Sequence, residues 1–311
     1  ESRKSLGIPE NSLVVLYLGR LSFHAKAHPL AMYQALEKAM NKSNKKVVLI
    51  ECGWHANDEV AKIYKETAKE FCPSVKLIKL DGRKAENRKM AWASADIFCS
   101  LSDNIQETFG IVPIEAMAAG IPVVVSDWDG YKDTVRDGID GFRIPTNMPQ
   151  GGLGSDLAYR HALEIDSYDL YCGLSCSLIS IDIESTAKAF EKLFLSSELR
   201  SRMGESGRKR AREIYDWSAI IGKYEVLWDK LNKIRKTESE KVKPLNHPWP
   251  ARMDPFYGFA SYPTTNVTQE TVLSLANKNL EESVDKALNI REMKMYNFAK
   301  IMLPNDEEIN M

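Results

Sequence analysis

The chain of 311 residues has few cysteines, no excess of charge of one sign and no long hydrophobic run. Its 42 lysines and arginines nearly balance 43 aspartates and glutamates, so the formal net charge is −1. This balance excludes the strong positive field with which proteins attract nucleic acid or anionic membranes non-specifically. No stretch reaches the roughly 20 apolar residues that span a bilayer, and residues 1–10 lack the apolar segment of a secretory signal. We therefore expect no transmembrane segment and no nucleic acid partner.

The five cysteines are odd in number and scattered, and no C-x-x-C pair occurs. A disulfide framework typically has an even number of cysteines, and a zinc ribbon needs them in closely spaced pairs, so the sequence encodes neither. Cys172 and Cys176 could share a helix face, but no further ligand is close to them in sequence, which favours core thiols over a metal site. Cysteine usage predicts a reducing compartment, the cytoplasm.

Short apolar runs alternate with helical patterns between residues 12 and 144. The alternation is typical of βαβ units and predicts an α/β fold built on a doubly wound, Rossmann-like parallel sheet. Helices are predicted at 29–40, 58–71, 83–94 and 111–119. The six predicted strands are Leu13–Leu18, Val47–Glu51, Val75–Leu80, Ile97–Ser100, Pro122–Val125 and Phe142–Ile144.

Beyond residue 144 this rhythm is lost. We interpret residues 1–235 as one domain with an insertion at 145–180, and residues 236–311 as a Pro- and aromatic-rich linker followed by a helical extension. Within the first domain, helical spacing returns at residue 183. The large apolar residues of that stretch are predicted to be core: Phe190, Leu193, Phe194, Tyr224, Leu227, Trp228 and Leu231.

The window Phe109–Ser126 contains a single charged residue, Glu115. A carboxylate in an apolar helix is expected to be partly desolvated and to need a hydrogen-bonding partner. Gly110 lets a ligand approach the backbone at the start of this helix, and a helix that begins at the carboxyl edge of a parallel sheet binds anions with its N-terminus. Glu107 stands just before the same helix. The window therefore predicts a ligand that carries both hydroxyls and phosphate.

Two cations follow the first strand. The strand ends in Gly19-Arg20, and Lys26 comes six residues after Arg20. Cations at this sheet edge can neutralise a diphosphate, and each charge-assisted hydrogen bond contributes about 1.5–3 kcal/mol. A dinucleotide site would place G-x-G-x-x-G at this turn, and the sequence does not contain that motif. NAD and FAD are therefore disfavoured.

Three segments in this order resemble the donor-binding domain of the family-4 type of retaining glycosyltransferases, also called group 1. They are Gly19-Arg20-Leu21 followed by Lys26, the E-x7-E motif from Glu107 to Glu115, and DGIDGF at 137–142. The resemblance covers about residues 1–235. It implies the GT-B architecture, in which two Rossmann-like domains face each other and the C-terminal one binds the sugar nucleotide. This chain is similar to that C-terminal domain.

The resemblance also implies roles for individual residues. Arg20 and Lys26 would bind the diphosphate and stabilise the leaving nucleotide, and Glu107 would bind hydroxyls of the donor sugar; these three are the implied catalytic residues. Glu115 would bind the ribose hydroxyls. The donor would be a UDP- or GDP-sugar, transferred with retention and without a metal or other cofactor. The other implied donor-binding residues are Gly19, Arg83, Thr108, Phe109, Gly110 and Ile111.

The sequence departs from the family pattern after the fifth strand. Where a Gly-Gly pair is usual, it has Asp127-Trp128-Asp129-Gly130-Tyr131. The segment also matches the D-x-D metal motif of the other glycosyltransferase fold. Because so short a pattern is common by chance, we predict no metal site here.

Arg20 lies only twenty residues into the chain, whereas a complete GT-B enzyme would need a first domain of roughly 150–200 residues before it. We therefore expect this chain to be part of a longer enzyme, inactive alone, with its acceptor site in a missing N-terminal domain. Any membrane association is expected to be peripheral and to involve that missing part. Two alternatives stay open: a non-catalytic module that binds nucleotide sugars, and a sugar-nucleotide epimerase.

Overall fold

A computed structural model describes residues 1–238, 241, 243, 268, 270, 272, 278–292 and 304–310. The chain divides into two compact units, Glu1–Ile234 and Arg235–Met311. The described helices that belong wholly to the second unit are Leu280–Glu292 and Asp306–Asn310. Most of the predicted Pro- and aromatic-rich linker lies outside the described residues.

The first unit is built on a six-stranded sheet in the order β3-β2-β1-β4-β5-β6, and every neighbouring pair is parallel. The strands are β1 Leu13–Leu18, β2 Val47–Gly53, β3 Lys76–Asp81, β4 Ile97–Ser100, β5 Val123–Ser126 and β6 Gly141–Ile144. All six predicted strands are present. The predicted doubly wound α/β fold is therefore confirmed.

Helices cover both faces of this sheet, as buried parallel strands require. The helices are α1 Ser2–Ser5, α2 Leu30–Ser43, α3 Asp58–Phe71, α4 Ala85–Ser94, α5 Ile111–Ala119, α6 Tyr131–Thr134, α7 Ser155–Ala162, α8 Tyr168–Cys176, α9 Ile183–Leu195, α10 Ser197–Arg210 and α11 Trp217–Glu238. A π-helix, Ala211–Tyr215, joins α10 to α11. Within the part of the chain that the structure describes, no helix is both long enough and apolar enough to cross a membrane.

Two short paired strands lie at the ends of the segment 145–180, which the sequence analysis predicts to be an insertion. β7 (Thr146–Asn147) and β8 (Ser180–Ile181) are antiparallel, and helices α7 and α8 lie between them in the chain. The Cys176 thiol lies 3.8 Å from the carbonyl oxygen of His24. Helix α8 therefore packs against the loop that follows β1.

The core follows from the two-residue period of the strands. In β1, Val14 and Leu16 are buried on one face of the sheet, whereas Val15 and Tyr17 are buried on the other. Because successive side chains of a strand point to opposite faces, a run without polar residues marks a strand covered on both sides. This pattern made β1 predictable from sequence alone.

The predicted core of the C-terminal helices is confirmed in α9 and wrong in α11. Phe190, Leu193 and Phe194 of α9 are at most 2% exposed. The α11 residues predicted to be core are instead exposed: Tyr224 48%, Leu227 46%, Trp228 60% and Leu231 51%. Helical spacing indicates that one face of a helix is apolar, but it does not show which element covers that face.

Candidate functional site

The site lies where the strand order reverses. β1 pairs with β2 on one side and with β4 on the other, so the crevice between the carboxyl ends of β1 and β4 is the topological switch point of the sheet. The Ser102 hydroxyl donates to the Lys26 carbonyl over 3.1 Å, and the Asn104 amide donates to the His24 carbonyl over 3.1 Å. These bonds join the loops after β1 and β4, residues 19–29 and 101–110, which together we call the switch-point corner.

Glycines allow the neighbouring strand ends to pack backbone against backbone. A Cβ atom on Gly53 would lie 2.0 Å from the Gly19 carbonyl oxygen, and one on Gly82 would lie 2.9 Å from the Gly53 Cα. The Gly82 N–H also donates to the Gly53 carbonyl over 3.0 Å. The carbonyl of Gly19, one of the predicted donor-binding residues, therefore leaves no space for a side chain at Gly53.

Lys26 and Glu107 form an ion pair at the centre of the corner. They are 81 positions apart in sequence, and the pairing of β1 with β4 brings their loops together. The Glu107 side chain is 9% exposed and that of Lys26 is 31% exposed. A carboxylate this deeply buried needs its charge compensated, and the Lys26 ammonium provides that compensation.

Arg20 supports the same loop. Its guanidinium donates to the Ala25 carbonyl over 2.8 Å, and the Tyr17 hydroxyl donates to the Arg20 carbonyl over 2.9 Å. Burial, together with the nearby charge of Glu51, raises the pKa of Tyr17, so this hydroxyl stays protonated and continues to donate. Arg20 thus holds the backbone next to Lys26.

The N-terminus of α5 faces solvent beside this pair. Its N-cap is Gly110, with φ 77°, and among the described residues no side chain caps the first-turn N–H groups. A Cβ atom on Gly110 would lie 2.0 Å from the Tyr131 ring, so this position requires glycine on two grounds. Thr108, Phe109 and Ile111 are exposed around it. Uncapped N–H groups and the helix dipole make this end of α5 suitable for an anion.

Glu115 lies one turn further along α5 and is exposed. Partial burial raises the pKa of its carboxyl, while the charge of Arg88 acts in the opposite direction. The hydrogen-bond partner expected from sequence is not found among the described residues, because the carboxylate reaches the surface instead of the core. Glu115 opens onto a groove of about 580 Å³, which we call the α5–α11 groove. Its lining residues are Phe109, Ile111, Ile114, Glu115, Ala118, Ala211, Arg212, Tyr215, Asp216, Trp217, Ile220 and Tyr224.

Arg83 follows β3 and is held by its own loop. Its guanidinium donates to both oxygens of Asp81, over 2.9 and 3.0 Å, and its side chain is 69% exposed. These bonds lower the pKa of Asp81 to about 2. Sequence reasoning missed Arg88, which donates to the Gly82 carbonyl over 2.7 Å and so fixes this loop from α4. Within the described residues, no hydrogen bond or ion pair joins Arg83 to Lys26 or Glu107.

Sequence reasoning also missed Asp103, within the corner, and Tyr131, which contacts it. The Asp103 carboxyl is buried, which raises its pKa to about 7, and it accepts the His28 backbone N–H over 3.3 Å. Tyr131, 1% exposed, has its hydroxyl 3.4 Å from Glu107 Oε2. Asp103 could have been found, because it is a polar residue directly after a buried strand. Tyr131 stood out in the sequence only as part of a departure from the family pattern.

The D-x-D segment packs against the corner through its middle residue. The Trp128 indole donates to the Asn104 carbonyl over 3.0 Å, while Asp127 pairs with Arg143 over 3.3 Å. Across the described ranges, no three or more histidine, cysteine, aspartate or glutamate side chains are grouped so that they could hold a metal ion. Asp129 has φ 34°, a loop conformation.

Fold and site together define a doubly wound α/β domain with a cation, a carboxylate and a helix N-terminus at its switch point. Residues 1–151 match the model of a family described as "Glycosyl transferases group 1". The resemblance to the group 1 glycosyltransferases seen in the sequence is confirmed over these residues.

Curated relatives agree with this resemblance. The chain is 27% identical over 155 residues to an uncharacterized glycosyltransferase of Methanocaldococcus jannaschii, covering 50% of this chain and 37% of the relative. It is 32% identical over 131 residues to a phosphatidyl-myo-inositol mannosyltransferase of Mycobacterium leprae, covering 42% and 25%. A D-inositol 3-phosphate glycosyltransferase of Corynebacterium glutamicum is 26% identical over 234 residues, covering 73% and 46%. The chain thus spans less than half of each of these relatives.

Solved structures share the fold. A sucrose-phosphate synthase from Thermosynechococcus elongatus superposes with a TM-score of 0.50 at 21% identity, covering 75% of this chain and 49% of that one. HepE from Anabaena, in complex with UDP, gives a TM-score of 0.50 at 18% identity, covering 74% and 51%. At these identities the likeness concerns the fold alone, and it is the fold of GT-B glycosyltransferases.

Proposed function

We propose that this chain is the donor-binding part of a retaining glycosyltransferase, which transfers a sugar from a UDP- or GDP-sugar to an acceptor hydroxyl. The observation that carries the proposal is the Lys26–Glu107 ion pair beside the uncapped N-terminus of α5. Two relatives are named as a mannosyltransferase and a glycosyltransferase, which supports sugar transfer. The solved HepE structure is a complex with UDP, which supports a nucleoside diphosphate as a ligand of this fold.

In this proposal the diphosphate binds between the loop after β1 and the first turn of α5. Lys26 and Arg20 supply positive charge, and the N–H groups at Gly110 and Ile111 supply hydrogen bonds. Phe109 and Thr108 border this position. Glu115 accepts hydrogen bonds from the ribose hydroxyls, and the base of the nucleotide lies near Arg83, in the loop after β3.

The same groups promote departure of the nucleotide. Negative charge grows on the diphosphate as its bond to the sugar breaks, and Lys26 and the helix N-terminus stabilise that charge where it develops. Glu107 holds sugar hydroxyls and need not act as a nucleophile. Retention follows when the acceptor arrives on the face from which the diphosphate departs, with a phosphate oxygen taking the acceptor proton. Because the chain supplies positive charge at the leaving group, we propose a reaction without a metal ion.

Calorimetric titration with UDP, GDP, UDP-glucose and GDP-mannose tests donor binding. We expect at least one pair to bind, and Glu107→Gln to weaken the sugar nucleotide more than the nucleotide, because only the sugar contacts Glu107. Glu184→Gln is the matched control, since Glu184 is an exposed carboxylate that also pairs with a lysine. If wild-type protein bound none of the four compounds, the proposal would be wrong.

Transfer itself is tested on a parent protein that includes the acceptor domain. The anomeric configuration of the product, read by NMR, should match that of the donor. Donor binding without transfer or donor hydrolysis would favour a non-catalytic nucleotide-sugar module instead.

A further inference from the structure

We propose that Tyr131 is a positioning residue for Glu107: its hydroxyl holds one carboxylate oxygen, so that the other oxygen is presented to the donor sugar. The inference rests on the proposed function, in which Glu107 binds sugar hydroxyls. Tyr131 occupies the segment that departs from the family pattern, so the resemblance assigns it no role.

The contacts of Tyr131 reach both ends of the loop from Glu107 to Gly110. Its hydroxyl lies 3.0 Å from the Ser100 hydroxyl and 3.4 Å from Glu107 Oε2. Its ring lies under Gly110, where an added Cβ would come within 2.0 Å of ring carbon Cε1. The residue is 1% exposed and belongs to the apolar core on one face of the sheet, so packing fixes its ring. One buried side chain thus supports both the carboxylate and the backbone at the N-terminus of α5.

The two oxygens of Glu107 differ in what they contact. Oε2 accepts hydrogen bonds from both the Lys26 ammonium and the Tyr131 hydroxyl. Oε1 has no hydrogen bond to any residue in the described part of the chain. A carboxylate oxygen has room for about two donors, so Oε2 is satisfied within the protein. Oε1 is therefore the oxygen that remains for a ligand hydroxyl.

Tyr131 becomes more important once a diphosphate is bound. The Lys26 ammonium is then shared between Glu107 and the phosphates, which weakens its hold on Oε2. The Tyr131 hydroxyl has no phosphate to move to, and Ser100 can donate to its oxygen while it donates to Glu107. Burial, followed by the charge of Glu107, raises the pKa of Tyr131, so the hydroxyl keeps the proton that this bond requires.

The test compares Tyr131→Phe with wild type for two ligand pairs, UDP with UDP-glucose and GDP with GDP-mannose, by calorimetry. We expect the Kd of the nucleoside diphosphate to stay within about twofold, and the Kd of the sugar nucleotide to rise about five- to tenfold, as for the loss of one hydrogen bond. Tyr33→Phe is the matched control, because the buried Tyr33 hydroxyl also donates to a carboxylate, that of Glu51, outside the site. It should leave both constants unchanged.

A double-mutant cycle separates positioning from a general structural effect. If Tyr131 acts through Glu107, the additional loss caused by Tyr131→Phe should disappear in a Glu107→Gln background. An unchanged sugar-nucleotide Kd in Tyr131→Phe, an equal loss for nucleotide and sugar nucleotide, or a loss that persists beside Glu107→Gln would each overturn the inference. Failure of wild type to bind any nucleotide would instead overturn the proposed function and this inference with it.

Discussion

The two carboxylates of the E-x7-E motif lie in opposite surroundings. Glu107, in the switch-point corner, is buried and paired with Lys26 and Tyr131. Glu115, eight residues later, is exposed beside the α5–α11 groove and has a raised pKa. Glu107 therefore has its geometry fixed before a ligand arrives, whereas Glu115 is free to adjust to one. Preorganised groups contribute most where charge changes during a reaction, so our proposal assigns Glu107 and its neighbours to chemistry and Glu115 to affinity.

The regions around the two carboxylates differ in the same sense. In the corner, side chains of Ser102 and Asn104 donate to backbone carbonyls and hold the loops together, and the Trp128 indole donates to the Asn104 carbonyl from outside. The groove is walled by apolar residues of α5 and α11, among them Ile111 and Trp217, which are 63% and 74% exposed. Substitutions in the corner should therefore alter both stability and binding, whereas those in the groove should leave stability nearly unchanged.

The largest effect is expected from Lys26→Met. The substitution removes the cation that pairs with Glu107 and, in our proposal, binds the diphosphate. Loss of a charge-assisted hydrogen bond of about 1.5–3 kcal/mol weakens UDP or GDP binding roughly 10- to 150-fold, measured by calorimetry. The thermal midpoint should also fall, because a buried carboxylate is left unpaired.

Lys38→Met is the control for this substitution. Lys38 also pairs with a glutamate, Glu184, but both side chains are more than half exposed. Exposed pairs contribute about 0–1 kcal/mol, so both the midpoint and the nucleotide affinity should be nearly unchanged. Equal effects of the two lysine substitutions would remove the distinction between the corner and the surface.

The second prediction concerns Asp103. Its carboxyl keeps its proton in the folded protein up to a pKa of about 7, against 3.8 as its ordinary value. Between these values the folded state binds more protons than the unfolded state, so the free energy of unfolding falls as pH rises, by at most about 1.4 kcal/mol per pH unit. Asp103→Asn should remove this loss and raise the thermal midpoint at pH 8 but not at pH 4.

Asp216→Asn provides the comparison from the groove. The Asp216 carboxyl is exposed, and hydrogen bonds from Ser218 lower its pKa. A lowered pKa stabilises the protein at high pH, so this substitution should not raise the midpoint at pH 8. A midpoint that rose equally in both variants would show that burial at Asp103 is not the cause.

A smaller effect is expected from Glu115→Gln. The charged carboxylate accepts ribose hydroxyls in our proposal, and its replacement should weaken nucleotide binding about tenfold, with the thermal midpoint unchanged because the side chain is exposed. Since burial raises the pKa of Glu115, wild-type affinity should fall as pH decreases, at a higher pH than for an ordinary carboxylate. Calorimetry across pH checks this, and the variant should lack that component of the pH dependence.

Local sequence patterns predict the strands, the start of α5 and several site residues, but not which loops meet in space. The apolar runs fixed β1 and β4, and Gly110 marked the start of α5 correctly. The sequence predicts Lys26 as a site residue because it follows β1, and Glu107 because it precedes α5 at the same sheet edge. Their direct contact needed the strand order, which places β4 next to β1, and no local pattern encodes that order.

Residues whose role depends on burial were not predictable in the same way. Asp103 lies within the corner and Tyr131 contacts it from α6, and both are buried among residues distant from them in sequence. Helix α11 shows the opposite error, because its apolar spacing predicted burial that the structure does not have. In both cases the sequence gives the residue type, whereas its burial depends on which elements pack against it in the fold.

The smallest effect is expected on the apolar face of α11. Trp228 is 60% exposed, so Trp228→Ser should change the free energy of unfolding by no more than about 0.5 kcal/mol, as for other surface positions. Phe190→Ala is the contrasting variant, because Phe190 is 0% exposed and truncation of a buried phenylalanine costs about 3–5 kcal/mol. Urea unfolding of both variants measures the difference. A cost near that of Phe190→Ala would mean that the α11 face is buried in solution, and the contrast between corner and groove would then concern polarity rather than exposure.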